Sequence, residues 1–166
     1  MYSEIKGDLI FLTKQGMFDV IAHGCNCYSN MNAGIAVVME REFNCSKFPM
    51  EQMGVSFNKL GCIDFKEFLV YPNKKSAETP VENNFTGKLT YIVNAYTQAR
   101  FGRTFGPPAD YEAIALCMRK INYQFKGMHI GLPKIGAGLA GGDWDKIKQI
   151  IQKELIDCKV TVVIYE

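Results

Sequence analysis

The chain has 166 residues, 48% hydrophobic and 22% charged, and its 19 Lys and Arg against 17 Asp and Glu give a formal charge of +2. That length fits one domain, 1–166, able to bury a full core without metal or disulfide staples. The charge balance excludes a surface that captures nucleic acid mainly by charge, the 12% aromatic content excludes disorder, and no apolar run approaches the roughly 20 residues that span a bilayer.

No charged-then-apolar leader opens the chain, and a monomeric, cytoplasmic protein with no membrane partner is expected. Six cysteines (Cys25, Cys27, Cys45, Cys62, Cys117 and Cys158) invite a disulfide framework, but that device suits short secreted chains without a core. No C-x-x-C pair and only two histidines are present, so neither a zinc site nor another metal site is expected. Cys117 and Cys158 fall in or beside apolar helical patterns and read as small buried hydrophobes in a reducing compartment.

In chain order, Tyr2 to Leu12 reads as extended, with Gly7-Asp8 interrupting it. Asp19 to His23 is a short apolar strand that runs into a polar loop, Gly24 to Asn32. Ala33 to Phe43 suits a helix capped by Asn32. Cys45 to Leu60 has the methionines and aromatics of a short helix, and Cys62 to Tyr71 reads as extended. Pro72 to Lys88 is a polar surface excursion. Leu89 to Tyr96 is a strand, followed by a loop, Thr97 to Ala109, that carries Arg100 and Arg103. Asp110 caps a helix with Ile114, Cys117, Met118, Ile121 and Phe125 at helical period. Met128 to Pro133 is the next strand, Asp143 caps a last helix bearing Trp144, Ile147, Ile151 and Leu155, and Val160 to Tyr165 is a closing β-branched strand.

Such alternation implies an α/β fold whose sheet has parallel neighbours and helices on both faces. Ligands of such folds bind beyond the carboxyl ends of the strands, which directs attention to Gly24 to Asn32, Thr97 to Ala109 and Gly136 to Gly142. The last of these contains G-x-G-x-x-G at Gly136, Gly138 and Gly141. A dinucleotide-binding Rossmann domain carries that motif near its start with further units behind it, whereas here only one helix and one strand remain. Phosphate cradling by bare backbone amides survives the objection. The other small, polar stretch holds Asn26, Asn30 and Asn32, whose amides suit ribose hydroxyls and water. Asn32-Ala33-Gly34-Ile35-Ala36 then opens a helix, another place where amides meet an anion.

With these residues in view the chain resembles the macrodomain family. The resemblance rests on Lys6-Gly7-Asp8-Leu9, Asn26, the Asn32-to-Ala36 helix start and Leu132-Pro133-Lys134-Ile135-Gly136-Ala137-Gly138-Leu139, in that order along nearly the whole chain. It implies a three-layer α/β/α fold with a mixed six- or seven-stranded sheet and an ADP-ribose cleft across its top. It also implies roles: Asp8 accepting from the adenine amino group with the Leu9 backbone assisting, and Asn26 on the distal ribose. Asn32, Ala33, Gly34, Ile35 and Ala36 would wrap the diphosphate from one side, Gly136, Ala137, Gly138, Leu139 and Ala140 from the other, with Tyr165 lining the adenine pocket.

Within that family, His23-Gly24-Cys25-Asn26-Cys27 is similar to the variant found in ADP-ribose 1″-phosphate phosphatases, where many glycohydrolase-type members have asparagine in place of His23. The branch acting on carboxylate-linked ADP-ribose resembles this chain at its opening, but looks to use a lysine near the middle strand and an acid in the glycine loop. Here Tyr96 to Arg100 holds no lysine and Ala140 stands at the acid's place. The expectation is therefore a metal- and cofactor-independent phosphatase acting on ADP-ribose 1″-phosphate. Its acid or base would be His23, with Asn26 orienting ribose or water and Arg100 or Arg103 over the terminal phosphate. De-ADP-ribosylation of protein or nucleic acid, and ADP-ribose capture without turnover, are the alternatives.

Overall fold

The computed structural model describes residues 1–72, 87–104 and 106–166. The excursion expected at Pro72 to Lys88 lies, apart from its two ends, outside the described residues. Six strands form one sheet: β1 (Tyr2–Lys6), β2 (Val20–Asn26), β3 (Ile63–Val70), β4 (Lys88–Gln98), β5 (His129–Leu132) and β6 (Lys159–Ile164), in the order β1-β6-β5-β2-β4-β3. All neighbours are parallel except β3, which pairs antiparallel with β4 at the sheet edge. The inner strand β2, Val-Ile-Ala-His-Gly-Cys-Asn, is buried along nearly its whole length, as a parallel strand covered on both faces must be.

Alternation along β2 divides the core in two. Val20 and Ala22 pack with Ile114, Met118 and Ile121 of α4 (Tyr111–Gln124) and with Ile147 and Ile151 of α5 (Trp144–Glu154). Ile21 and Cys25 point the other way, into a cluster with Leu9 and Ile10 of α1 (Leu9–Lys14), Met39 and Phe43 of α2 (Ile35–Phe43), and Phe48, next to α3 (Pro49–Gln52). Two capping aspartates were legible in the sequence. Asp110 Oδ1 accepts from Ala113 N at 3.0 Å, and Asp143 Oδ1 accepts from Asp145 N at 3.0 Å, each worth about 1 kcal/mol to its helix. All six cysteines are free thiols.

Several boundaries differ from the sequence expectation, β4 among them, which runs on to Gln98. Leu9 to Leu12 is helical, not extended: Asp8 caps it, and Leu9, Ile10 and Thr13 turn inward at helical spacing. So short an apolar run carries no period that separates the two states. β2 continues through Gly24 and Cys25 to Asn26, pairing with β4 where a loop was expected. The helix α2 starts at Ile35 with Gly34, not Asn32, at its cap. Cys45 to Leu60 folds as two 3₁₀ turns, Cys45–Lys47 and Phe57–Lys59, around the single turn α3.

Because five strands run parallel, their carboxyl ends lie at one end of the sheet. The segments that leave them (after Lys6, Asn26, Gln98, Leu132 and Ile164) share that end.

Candidate functional site

Two of these segments form rims of unpaired backbone amides. Asn30 Oδ1 accepts from Asn32 N at 3.0 Å and fixes the approach to α2. Gly34 follows with φ 61, a left-handed conformation that glycine adopts without steric cost. Its neighbours pass into α2 with no side-chain cap, so the amides of Ala33, Gly34, Ile35 and Ala36 find no acceptor among the described residues. A helix start in that condition attracts an anion through its orphan N–H groups and its dipole.

The opposite rim is Gly136 to Gly142. Gly142 N donates to Gly136 O at 2.8 Å and Gly141 N to Gly138 O at 3.0 Å, closing the loop on itself. Gly136 has φ 75, and a Cβ there would press to 3.0 Å from Ile114 and 3.2 Å from Ile147, so this glycine anchors the loop on the core. Gly138 is different: a Cβ on it would meet nothing within 4 Å. The amides of Gly138, Leu139 and Ala140 have no acceptor among the described residues. The rims face each other: a Cβ on Gly34 would stand 3.3 Å from Leu139 Cδ1. Asn32, Ala33, Gly34, Leu139 and Gly138 are exposed, whereas Ala140 is buried and Ala137 packs on the core.

Arg103 does not lie over this cleft as a free guanidinium. Its Nε donates to Leu139 O at 3.1 Å and its Nη2 to Gly138 O at 3.0 Å. In a trans peptide the N–H opposes the C=O, so holding these two carbonyls turns the amides of Leu139 and Ala140 away from the arginine. Arg103 thus orients the amide rim from behind, a role its position in a loop gave no means of reading. Arg100 lies in the wall of a neighbouring cavity of about 760 Å³, together with Tyr28, Phe101, Asp110 and Tyr111.

Asn26 ends β2, 8% exposed, with both ends of its side-chain amide engaged and, among the described residues, one N–H of the Nδ2 group left over. Its Nδ2 donates to Asn30 O at 2.8 Å, and its Oδ1 accepts from Tyr28 N at 3.0 Å and Asn30 N at 3.3 Å. It folds the turn that leads into the first rim.

The structure does not bring His23 to the cleft. The expectation of an acid or base there is corrected by strand alternation: His23 points to the same side as Ile21 and Cys25 and is 0% exposed. Asn94 Nδ2 donates to Cys45 O at 3.1 Å, which leaves Asn94 Oδ1 to accept from His23 Nε2 at 2.7 Å. That assignment puts the proton on Nε2 and leaves Nδ1 buried without a partner. Burial pushes the imidazole pKa down to about 4, so the ring is neutral near pH 7.

At the β1 edge of the sheet, on the same carboxyl end, Asp8 is exposed, with Oδ1 accepting from Phe11 N at 3.0 Å. Leu9 is buried, but its amide, first in α1, has no acceptor among the described residues. Gly7 N donates to Ile164 O at 3.0 Å, which sets Asp8 beside the end of β6. Tyr165, 78% exposed, projects there and is no part of the core. Asp8, the two amide rims and Asn26 therefore share one end of the sheet, while His23 lies beneath it.

No family model matches the chain. An uncharacterized 17.5 kDa protein of Enterobacteria phage T4 is 31% identical over 98% of this chain and 95% of its own length. The ADP-ribose 1″-phosphate phosphatase of Meyerozyma guilliermondii is 24% identical over 96% of this chain and 97% of its own length. Among solved structures, the macrodomain of Thermus aquaticus DarG superposes with a TM-score of 0.63 at 21% identity, covering 100% of this chain and 98% of that one. The chain has the macrodomain fold. The expected mixed sheet of this macrodomain has six strands, with helices packed on both faces. No helix among its described residues is long and apolar enough to cross a membrane.

Proposed function

We propose that this macrodomain binds ADP-ribose across the carboxyl ends of its parallel strands and hydrolyses ADP-ribose 1″-phosphate to ADP-ribose and phosphate. The observation that carries the reading is the facing pair of amide rims, Ala33 to Ala36 and Gly138 to Ala140, brought together by Gly34 and Leu139. A diphosphate between them takes up donors that otherwise have only water. In this reading Asp8 and the Leu9 amide receive the adenine edge, Tyr165 lies along the base, and Asn26 with its turn meets the distal ribose. The yeast relative, named for the same reaction and similar over nearly its whole length, supports the choice of substrate.

Hydrolysis of the monoester transfers the phosphoryl group to water: a water oxygen bonds to phosphorus as the bond from phosphorus to the 1″ oxygen breaks. The departing hemiacetal oxygen needs a proton. With His23 in the core, this reading takes that proton from water or from the phosphoryl group itself, and leaves to the protein the alignment and charge stabilisation of the reacting groups. Arg100, in the cavity wall beside Tyr28, is the cation on that side.

A binding module without turnover is the second reading, and the burial of His23 is the observation that favours it. Phosphorus NMR of the protein mixed with ADP-ribose 1″-phosphate separates the two. Growth of an inorganic phosphate signal supports the phosphatase. Perturbed diphosphate resonances with no phosphate release support the binder, and unperturbed resonances remove both.

A further inference from the structure

We propose that Lys59 is the positioning residue for the distal-ribose end of the cleft, holding the Asn26-to-Asn32 turn from beneath through Ser29. The inference rests on the reading of that cleft as an ADP-ribose site.

Lys59 ends the second 3₁₀ turn and is 0% exposed. An ammonium so placed costs several kcal/mol of lost hydration unless its protons find acceptors. Its Nζ donates to Ser29 Oγ at 2.8 Å and to Gly54 O at 2.7 Å, and lies 5.2 Å from the centre of the Tyr96 ring. Among the described residues it makes no ion pair. The nearby Glu51 and Asp64 feel its charge, although burial raises the pKa of both carboxyls. Lys59 therefore spends its charge on a loop hydroxyl and a loop carbonyl.

Ser29 is where that hold matters. Its backbone has φ 55, the left-handed region that costs a side-chain-bearing residue about 1 kcal/mol or more. Ser29 Oγ also reaches Glu51 O at 2.9 Å and Gly54 O at 3.1 Å, so this one hydroxyl ties the strained residue to the α3 segment. Directly flanking it, Tyr28 N and Asn30 N close on Asn26 Oδ1, and Asn30 Oδ1 takes Asn32 N at the entrance to the amide rim. A continuous chain of contacts thus runs from a buried charge, through a strained turn, to Asn26 at the distal-ribose end. An apolar side chain would fill the space under Tyr96, but would leave the turn unheld.

The test uses Lys59→Met and Ser29→Ala in the full chain, read by amide hydrogen exchange and by titration with ADP-ribose and with ADP, which lacks the distal ribose. Ser29→Ala keeps the proposal testable if the buried Lys59→Met chain fails to fold. The expected result for each variant is at least tenfold faster exchange at Tyr28 and Asn30, with β2 and β4 still protected. ADP-ribose affinity falls about tenfold while ADP affinity stays within about twofold, and the double variant is no worse than Lys59→Met alone. Unchanged exchange at Tyr28 and Asn30, or equal weakening of both ligands, overturns the proposal. Wild-type protein that binds no ADP-ribose removes the ADP-ribose reading instead, and the exchange result then reports on the hold over the turn by itself.

Discussion

His23 Nε2 donates to Asn94 Oδ1 across 2.7 Å in the middle of the sheet, linking two neighbouring inner strands beneath the cleft. The pair is a stability element, and its contribution depends on pH. Burial lowers the folded-state pKa of His23 to about 4 from 6.5. As pH falls through 6.5 the unfolded chain takes up a proton that the folded chain refuses until about pH 4. The stability present above that window is lost across it. Glu51 and Asp64, whose pKa values burial raises, act in the opposite sense, so the comparison must be with a variant. Urea unfolding at about pH 7 and about pH 4.5 should show wild type losing about 2 to 3 kcal/mol more than His23→Gln. Equal losses in the two proteins would remove the buried-neutral assignment.

A charge introduced at Gly138 separates the cleft from the fold. A side chain there enters open space, and the residue does not have positive φ, so Gly138→Glu should fold with nearly unchanged melting temperature. It places bulk and negative charge against the amides that receive the diphosphate, and ADP-ribose affinity should fall by about 100-fold or more. Calorimetric titration beside a melting curve checks both halves. Gly34→Ala is the contrasting case: φ 61 and the contact with Leu139 strain any side chain, so stability should drop by about 1 to 2 kcal/mol along with binding.

Much of this was readable before the structure, for identifiable reasons. Asp110 and Asp143 stand before long helical stripes, so both caps and both helices were legible. The two small-residue loops follow strands and precede helices, and they do meet. The side to which His23 points was not legible, because β2 is buried on both faces and its sequence has no polar alternation to orient it. The short α1 was missed for want of a period. Nor does sequence say whether an arginine in a loop reaches a ligand or, as Arg103 does, the carbonyls of its own chain.

Arg103 makes that last point measurable. Its two donors reach neighbouring carbonyls in a fork that a lysine does not reproduce. Arg103→Lys should therefore behave much like Arg103→Ala. Both should speed hydrogen exchange at Gly138 to Ala140 and weaken ADP and ADP-ribose equally, by about tenfold, because the disturbed contact is with the diphosphate. Retention of full affinity by Arg103→Lys would show that charge, not the forked hold on the loop, is what Arg103 contributes.

Asp8 offers a test of the adenine end that spares the fold. Its Oδ1 caps α1 through Phe11 N, and asparagine caps a helix about as well as aspartate. Asp8→Asn should keep the melting temperature, whereas Asp8→Ala should lose about 1 kcal/mol with the cap. The remaining carboxylate oxygen can only accept, which suits an adenine amino group and repels the carbonyl that hypoxanthine carries at the same position. Wild type should therefore prefer ADP-ribose over its hypoxanthine analogue, and Asp8→Asn, which can turn its NH₂ toward that carbonyl, should cut the preference by about tenfold. Competition titration of the two nucleotides measures the ratio directly, and an unchanged ratio in Asp8→Asn would take Asp8 out of base recognition and leave it as the cap of α1.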